Sequence, residues 1–126
     1  MEPSRHAGGT TPDVLDREAA LARVDGDLGM LASLVEIMLT ELTEMTNTLR
    51  EALKAGNAQA LEHAAHRLKG SVSIFGATLA TETALQLEKI GRSGDLRDAA
   101  RVWTVLEKQL QLMKPALLDL RRELPH

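Results

Sequence analysis

The run Ala65-His66-Arg67-Leu68-Lys69-Gly70-Ser71 sets an imidazole, an ammonium group and a glycine within little more than one helical turn. A typical imidazole, with a pKa of about 6.5, is mostly neutral at pH 7 and is a nucleophile without a separate base to deprotonate it. At helical periodicity Leu61, Ala65, Leu68, Val72 and Phe75 form one stripe, while His63, His66, Gly70 and Ser73 gather opposite. The spacing predicts an outward-facing His66. Gly70, one turn further along the same face, leaves a notch that another molecule's backbone can enter, although a mid-helix glycine costs about 1 kcal/mol relative to alanine. Lys69, three positions after His66, can swing its ammonium toward negative charge attached to the ring.

Each of these residues also has a plainer reading. A lone exposed histidine is usually an uninvolved surface residue, a lysine usually a solvated charge, and a glycine can be a mere irregularity in the helix. His63 and His66 form an H-x-x-H pair with Glu62 beside them, the start of a metal site. Further ligands are lacking: the chain has no cysteine and no HExxH motif, and its other histidines, His6 and His126, lie near the chain ends. No metal is expected.

The elements that must carry this face are helical throughout. Residues 1–12, with two prolines and two glycines, read as a flexible tail, and residues 13–126 as one domain. Asp13 or Asp16 can cap a short helix that runs to about Val24. A longer helix spans about Asp27 to Ala55, with Leu28, Leu31, Val35, Met38, Leu42, Met45, Leu49 and Leu53 spaced by threes and fours and Gly56 as its C-cap. The helix bearing His66 follows, capped by Asn57, over about 58–75, and stops at Gly76. A fourth covers about 79–91 with Leu79, Thr83, Leu87 and Ile90 inward, then turns through Gly91-Arg92-Ser93-Gly94. Asp95 caps the last, about 96–122, whose apolar side includes Val102, Val105 and Leu106 and which Pro115 is expected to bend. Short connections favour antiparallel neighbours, so the expected fold class is all-α: an antiparallel up-down four-helix bundle with a short additional N-terminal helix.

Composition narrows the function. A chain of 126 residues with 15 Lys and Arg against 18 Asp and Glu has a formal charge of −3, and it holds one Trp, one Phe and no Tyr. Neither a basic face nor stacking platforms are available, so nucleic acid is not an expected partner. At this size folding hides roughly two thirds of the extended chain's surface, so no disulfide or metal is needed to hold the core. No apolar run is long enough to span a bilayer and residues 1–13 have no hydrophobic leader, so a cytoplasmic protein with no membrane partner is expected.

The run around His66 resembles the signature of histidine-containing phosphotransfer (HPt) domains, H-x-[small apolar]-K-G-[small], carried on the second helix of a four-helix bundle. The likeness extends downstream. Family members usually have a second glycine ten positions after the histidine and a Leu-Glu or Leu-Gln pair ending twenty-two after it, where this chain has Gly76 and Leu87-Glu88. It covers roughly residues 16–120. The resemblance implies that His66 takes a phosphoryl group from an aspartyl phosphate of a receiver domain and passes it to another. It implies that Lys69 steadies the bound group, that Gly70 gives access, and that Glu88 bonds the other ring nitrogen. The helical wheel alone puts Glu88 on the far side from Leu79, Leu87 and Ile90, which leaves a merely solvated glutamate open.

His63, Arg67, Ser73, Ile74 and Ile37 are the candidate partner contacts; Ile74 and Ile37 either form an apolar docking patch or widen the core. No cofactor is expected on this chain, since in the family the receiver supplies both the aspartate and Mg²⁺. No Gly-rich nucleotide loop or P-loop lysine is present, so the chain is expected to be a monomeric phosphoryl carrier without kinase activity of its own. Two rivals are a non-catalytic helical adaptor and a dimerising histidine-kinase domain that lacks its ATPase. The second would need two copies packed together.

Overall fold

In the computed structural model, which describes residues 14–125, all regular structure is helical: α1 (Arg17–Arg23), α2 (Leu28–Ala55), α3 (Ala58–Ile74), α4 (Thr78–Ser93) and α5 (Ala99–Glu123). The expected tail at 1–12, and Asp13, His6 and His126 with it, lie outside the described residues. Helices α2 to α5 form the bundle, and α1 packs on α2 and α3. None of these helices is long and apolar enough to cross a membrane.

Three helix starts follow the sequence directly. Asp16, Asp27 and Asn57 each turn a side-chain oxygen onto the amide three residues on, at Ala19 (3.1 Å), Met30 (3.0 Å) and Ala60 (3.0 Å). Such caps satisfy donors that the helix leaves unpaired, typically contributing about 1 kcal/mol. Gly56 closes α2 in the left-handed conformation. At the far end of α3, Gly76 has φ +63, and a methyl group there would sit 2.7 Å from Cβ of Asp16. The Asp16 amide donates to the Phe75 carbonyl at 2.8 Å, which ties α1 to the end of α3.

The stripe expected on α3 is the one buried: Leu61, Ala65, Leu68 and Val72 are fully enclosed and Phe75 nearly so, joined by Leu31, Val35, Leu49, Leu87, Leu106, Met113 and Leu117. His63, His66 and Gly70 are left outside.

On α4 the expected face is rotated. The inward residues are Ala80, Thr83, Ala84, Leu87, Glu88 and Gly91, whereas Leu79 is 42% exposed and Ile90 half-buried. Small residues explain the rotation. A methyl group on Gly91 would lie 2.6 Å from the Glu62 amide nitrogen and 2.8 Å from the Ala58 carbonyl, so here α4 rests directly on the α3 backbone. Helices approach this closely only where side chains are minimal. A wheel weighted by large apolar residues finds Thr83 and Leu87 but misses the small and charged members of such a seam.

The helix also runs through Gly91, Arg92 and Ser93, where a turn was expected, and ends at Gly94 in the left-handed conformation. Asp95 does not cap α5. It accepts instead from the Arg97 amide and guanidinium, and the helix begins later, at Ala99. On α5 Trp103 is buried while Val105 is 46% exposed, and Leu28 at the start of α2 is 42% exposed, against expectation for the last two. Helix α5 is uninterrupted across Pro115.

The glycines separate packing from access. Gly91→Ala is expected to destabilise the protein by about 2 kcal/mol or more, since backbone atoms cannot yield to the added methyl. Gly70→Ala, with nothing within 4 Å of the added atom, is expected to stabilise by up to about 1 kcal/mol through helix propensity. Urea unfolding of the two variants beside the parent checks both signs.

Candidate functional site

His66 projects from the outer face of α3 with 67% of its side chain exposed. Its Nδ1 lies 2.9 Å from Oε2 of Glu88, which reaches across from α4. With a carboxylate opposite, Nδ1 is the ring nitrogen that carries the proton, and Nε2 keeps its lone pair. Nε2 has no hydrogen-bond partner among the described residues. A side chain at Gly70, one turn on, would meet open space.

Glu88 is the least solvated charge in the site, at 5% side-chain exposure. An isolated carboxylate so enclosed would be strongly disfavoured. Three partners offset that. Oε2 accepts from His66 and from Nη2 of Arg92 at 2.9 Å, and Nζ of Lys69 lies 2.8 Å from Oε1. The ammonium approaches Oε1 off the hydrogen-bond direction, and no aligned donor reaches that oxygen; the Lys69 pair is therefore a charge contact rather than a well-formed hydrogen bond. Short-range contact with the ammonium at 2.8 Å is nonetheless the largest influence on the carboxyl, ahead of the longer-range pull of its charge. Lys69, with His66 adding to it, holds the Glu88 carboxyl below the usual glutamate range against the upward push of burial.

Arg92 completes the cluster: its Nε donates to Oε2 of Glu62 at 3.0 Å, so the guanidinium is braced on α3 while it holds Glu88 on its own helix. The Glu62 carboxylate is the main reason that Arg92 is an even weaker acid than usual. Alternating charges thus run Glu62, Arg92, Glu88, Lys69, with the imidazole at the open end.

The remaining candidates are placed less centrally. Ser73 donates its hydroxyl to the Gly70 carbonyl at 2.8 Å, so that proton is already committed. Arg67 approaches Glu41 of α2 at 4.0 Å, a loose exposed pair. Ile37 lies one turn before Glu41 on α2. Ile37 is 50% exposed, whereas Ile74 is half-buried and packs against the core. His63 is exposed, and no group of three or more metal-ligating side chains is assembled among the described residues.

Arg92 was missed by sequence reasoning, and Glu62 was considered only as a metal neighbour. The usable signal was the i, i+4 spacing of Glu88 and Arg92, hidden by the assignment of Arg92 to a turn.

An exposed imidazole presented on the second helix of an all-helical bundle, with its inner nitrogen fixed from the third, defines a class. The Hpt domain family model matches residues 33–116, a span that includes every member of the cluster, and the chain belongs to that family. It is a histidine-phosphotransfer type of protein, a class of phosphoryl carriers that work with receiver domains. Among solved structures it is similar to the crystal structure of histidine-containing phosphotransfer protein B (HptB) from Pseudomonas aeruginosa PAO1, at 27% identity and a TM-score of 0.83, over 92% of this chain and 100% of that one. Comparison with curated protein sequences gives no match.

A carboxyl held below its ordinary range stabilises the fold above that range, and the stabilisation is lost as pH falls from about 4.3 through the lower folded-state value. Glu88→Gln removes the titrating group, so its acid limb of stability should be flatter than that of the parent. Urea midpoints measured between about pH 3 and pH 6 check this.

Proposed function

We propose that Nε2 of His66 accepts a phosphoryl group from an aspartyl phosphate on a receiver domain and returns it to the aspartate of another. The observation that carries the reading is an open Nε2 on a ring whose Nδ1–H is fixed by Glu88 at 2.9 Å. The Nε2 lone pair forms the N–P bond as the P–O bond to the receiver's carboxylate breaks and its electrons leave with that carboxylate. The Nδ1 proton stays in place, so the phosphorylated ring carries a positive charge, which the Glu88 carboxylate faces. The reverse steps deliver the group to the second receiver.

Alignment supplies most of what such a transfer requires, because a loose phosphoryl-transfer transition state needs little covalent help from the protein. The chain contributes a rigid imidazole, and the receiver contributes its own aspartate and Mg²⁺. The open ground over Gly70 admits the rim of the receiver's acidic pocket. Exposed Ile37 on α2, together with the outward part of Ile74, offers apolar contact, while His63, Arg67 and Ser73 edge the face of α3 that carries His66. The residues that hold and present the ring all lie on one chain, which supports a reading as a monomeric, cytoplasmic carrier that takes its phosphoryl group from a partner rather than from kinase activity of its own. An adaptor that only bound its partners would have no use for an imidazole so oriented.

Incubation with a phosphorylated receiver and Mg²⁺ should place acid-labile label on the protein and none on His66→Gln. Label retained by that variant removes His66 from the mechanism, and binding without label on either protein favours the adaptor. Gly70→Gln should stay folded, since its site is open, yet slow transfer from the receiver roughly tenfold or more, equivalent to about 1.4 kcal/mol in the barrier. Stopped transfer reactions resolved by phosphate-sensitive gels read that rate.

A further inference from the structure

Glu88 has two cations on two different oxygens, and the two are held very differently. Arg92 donates along a good hydrogen bond to Oε2 and is braced from behind by Glu62 at 3.0 Å. Lys69 sits beside Oε1 at 2.8 Å without alignment, on a flexible four-carbon stem. Arg92 is held by two carboxylates and Lys69 by one, so Lys69 has fewer bonds to give up in turning away. The His66 ring and the Lys69 ammonium on α3 and the Arg92 guanidinium on α4 are the groups that face this carboxylate, with Glu62 one step behind.

Phosphorylation changes what Lys69 sees. A dianionic phosphoryl group on Nε2 places more negative charge on the solvent side of the ring than Oε1 offers on the inner side, and it accepts hydrogen bonds in several directions. If Lys69 were the sole side-chain cation on Glu88, turning toward the phosphoryl would leave a nearly enclosed carboxylate with only the charge of the phosphorylated ring opposite it, which is a costly exchange. With Arg92 in place it is not.

We propose that Arg92, braced by Glu62, is a positioning residue that holds the charge of Glu88 while Lys69 leaves it for the phosphoryl group on His66. This rests on His66 being the phospho-acceptor. Arg92 itself touches neither the reacting nitrogen nor the phosphoryl group. It sets where Lys69 can go, and so how long the phosphohistidine lasts and how readily it is surrendered.

The full chain can be phosphorylated without any partner by phosphoramidate, and loss of acid-labile phosphate then followed at neutral pH. Lys69→Gln is expected to shorten the phosphohistidine half-life about threefold, and Arg92→Gln to do the same, because without Arg92 the lysine stays on Glu88. In the Arg92→Gln background the lysine substitution should then change the half-life less than about 1.5-fold. Glu62→Gln, which leaves the arginine charge but removes its brace, should act in the same direction with a smaller effect, and it keeps the test open if Arg92→Gln folds poorly. An unchanged half-life in both the Arg92 and Glu62 variants overturns the proposal. So does an undiminished Lys69 effect in the Arg92→Gln background, even if that variant is less stable, since a purely structural arginine would leave the lysine effect intact. Failure of the unsubstituted chain to take label at His66 would instead remove the phospho-acceptor reading, and this proposal with it.

Discussion

A carboxylate that has lost almost all of its water must be given opposite charge by the protein, and the seam between α3 and α4 is organised around that requirement at Glu88. Its two oxygens receive His66, Lys69 and Arg92, and only the first of these is proposed to react. Remove the carboxylate and the imidazole on the outer face of α3 could rotate freely about its side-chain bonds, with either nitrogen protonated. Remove the cations and burial would favour a protonated Glu88, which would turn an acceptor for Nδ1–H into a competing donor. The orientation of one exposed ring therefore depends on charges placed behind it.

Those charges can meet only because α3 and α4 lie unusually close. Gly91 rests on the backbone of Ala58 and Glu62, and Ala80 and Ala84 continue the small-residue edge along α4. The approach brings Arg92 within reach of Glu62 and Glu88 within reach of His66 and Lys69. Packing and electrostatics are consequently one device here. A larger residue at the contact would push α4 outward and lengthen at once every bond of the cluster that crosses from α3 to α4, whereas the same change at Gly70 would disturb nothing inside the protein.

Most of the architecture was legible in the sequence, since α2 and α3 carry long stripes of large apolar residues and side-chain caps at Asp27 and Asn57. The face of His66 followed from the same periodicity. Helix α4 was legible only in part, for a physical reason. Apart from Leu87, its inner face is made of alanines, a threonine, a glycine and a glutamate, so an amphipathic wheel also draws in Leu79, which is exposed. The same error left the burial of Glu88 open and concealed Arg92. The short-range pull of Asp95 on Arg97 similarly displaced the start of α5 by three residues from where a cap was expected. What could not be read locally were charges compensated across helices, because their partners are fixed by packing and not by spacing along one chain.

Placing a carboxylate rather than a neutral amide behind the ring has a directional consequence for phosphotransfer. In the proposed transfer, forming the N–P bond through the Nε2 lone pair adds positive charge to a ring whose Nδ1 keeps its proton, so an anion 2.9 Å from Nδ1 would stabilise the phosphorylated ring more than the free one. A full unpaired anion would favour that state strongly and make the group slow to leave. Lys69 and Arg92 temper the effect by drawing on the same carboxylate. A carrier that must both take and release a phosphoryl group needs the two states close in free energy, since a deep well on either side would turn the relay into a sink. A shared carboxylate, with one fixed cation and one movable one, can lower the loaded state without trapping it.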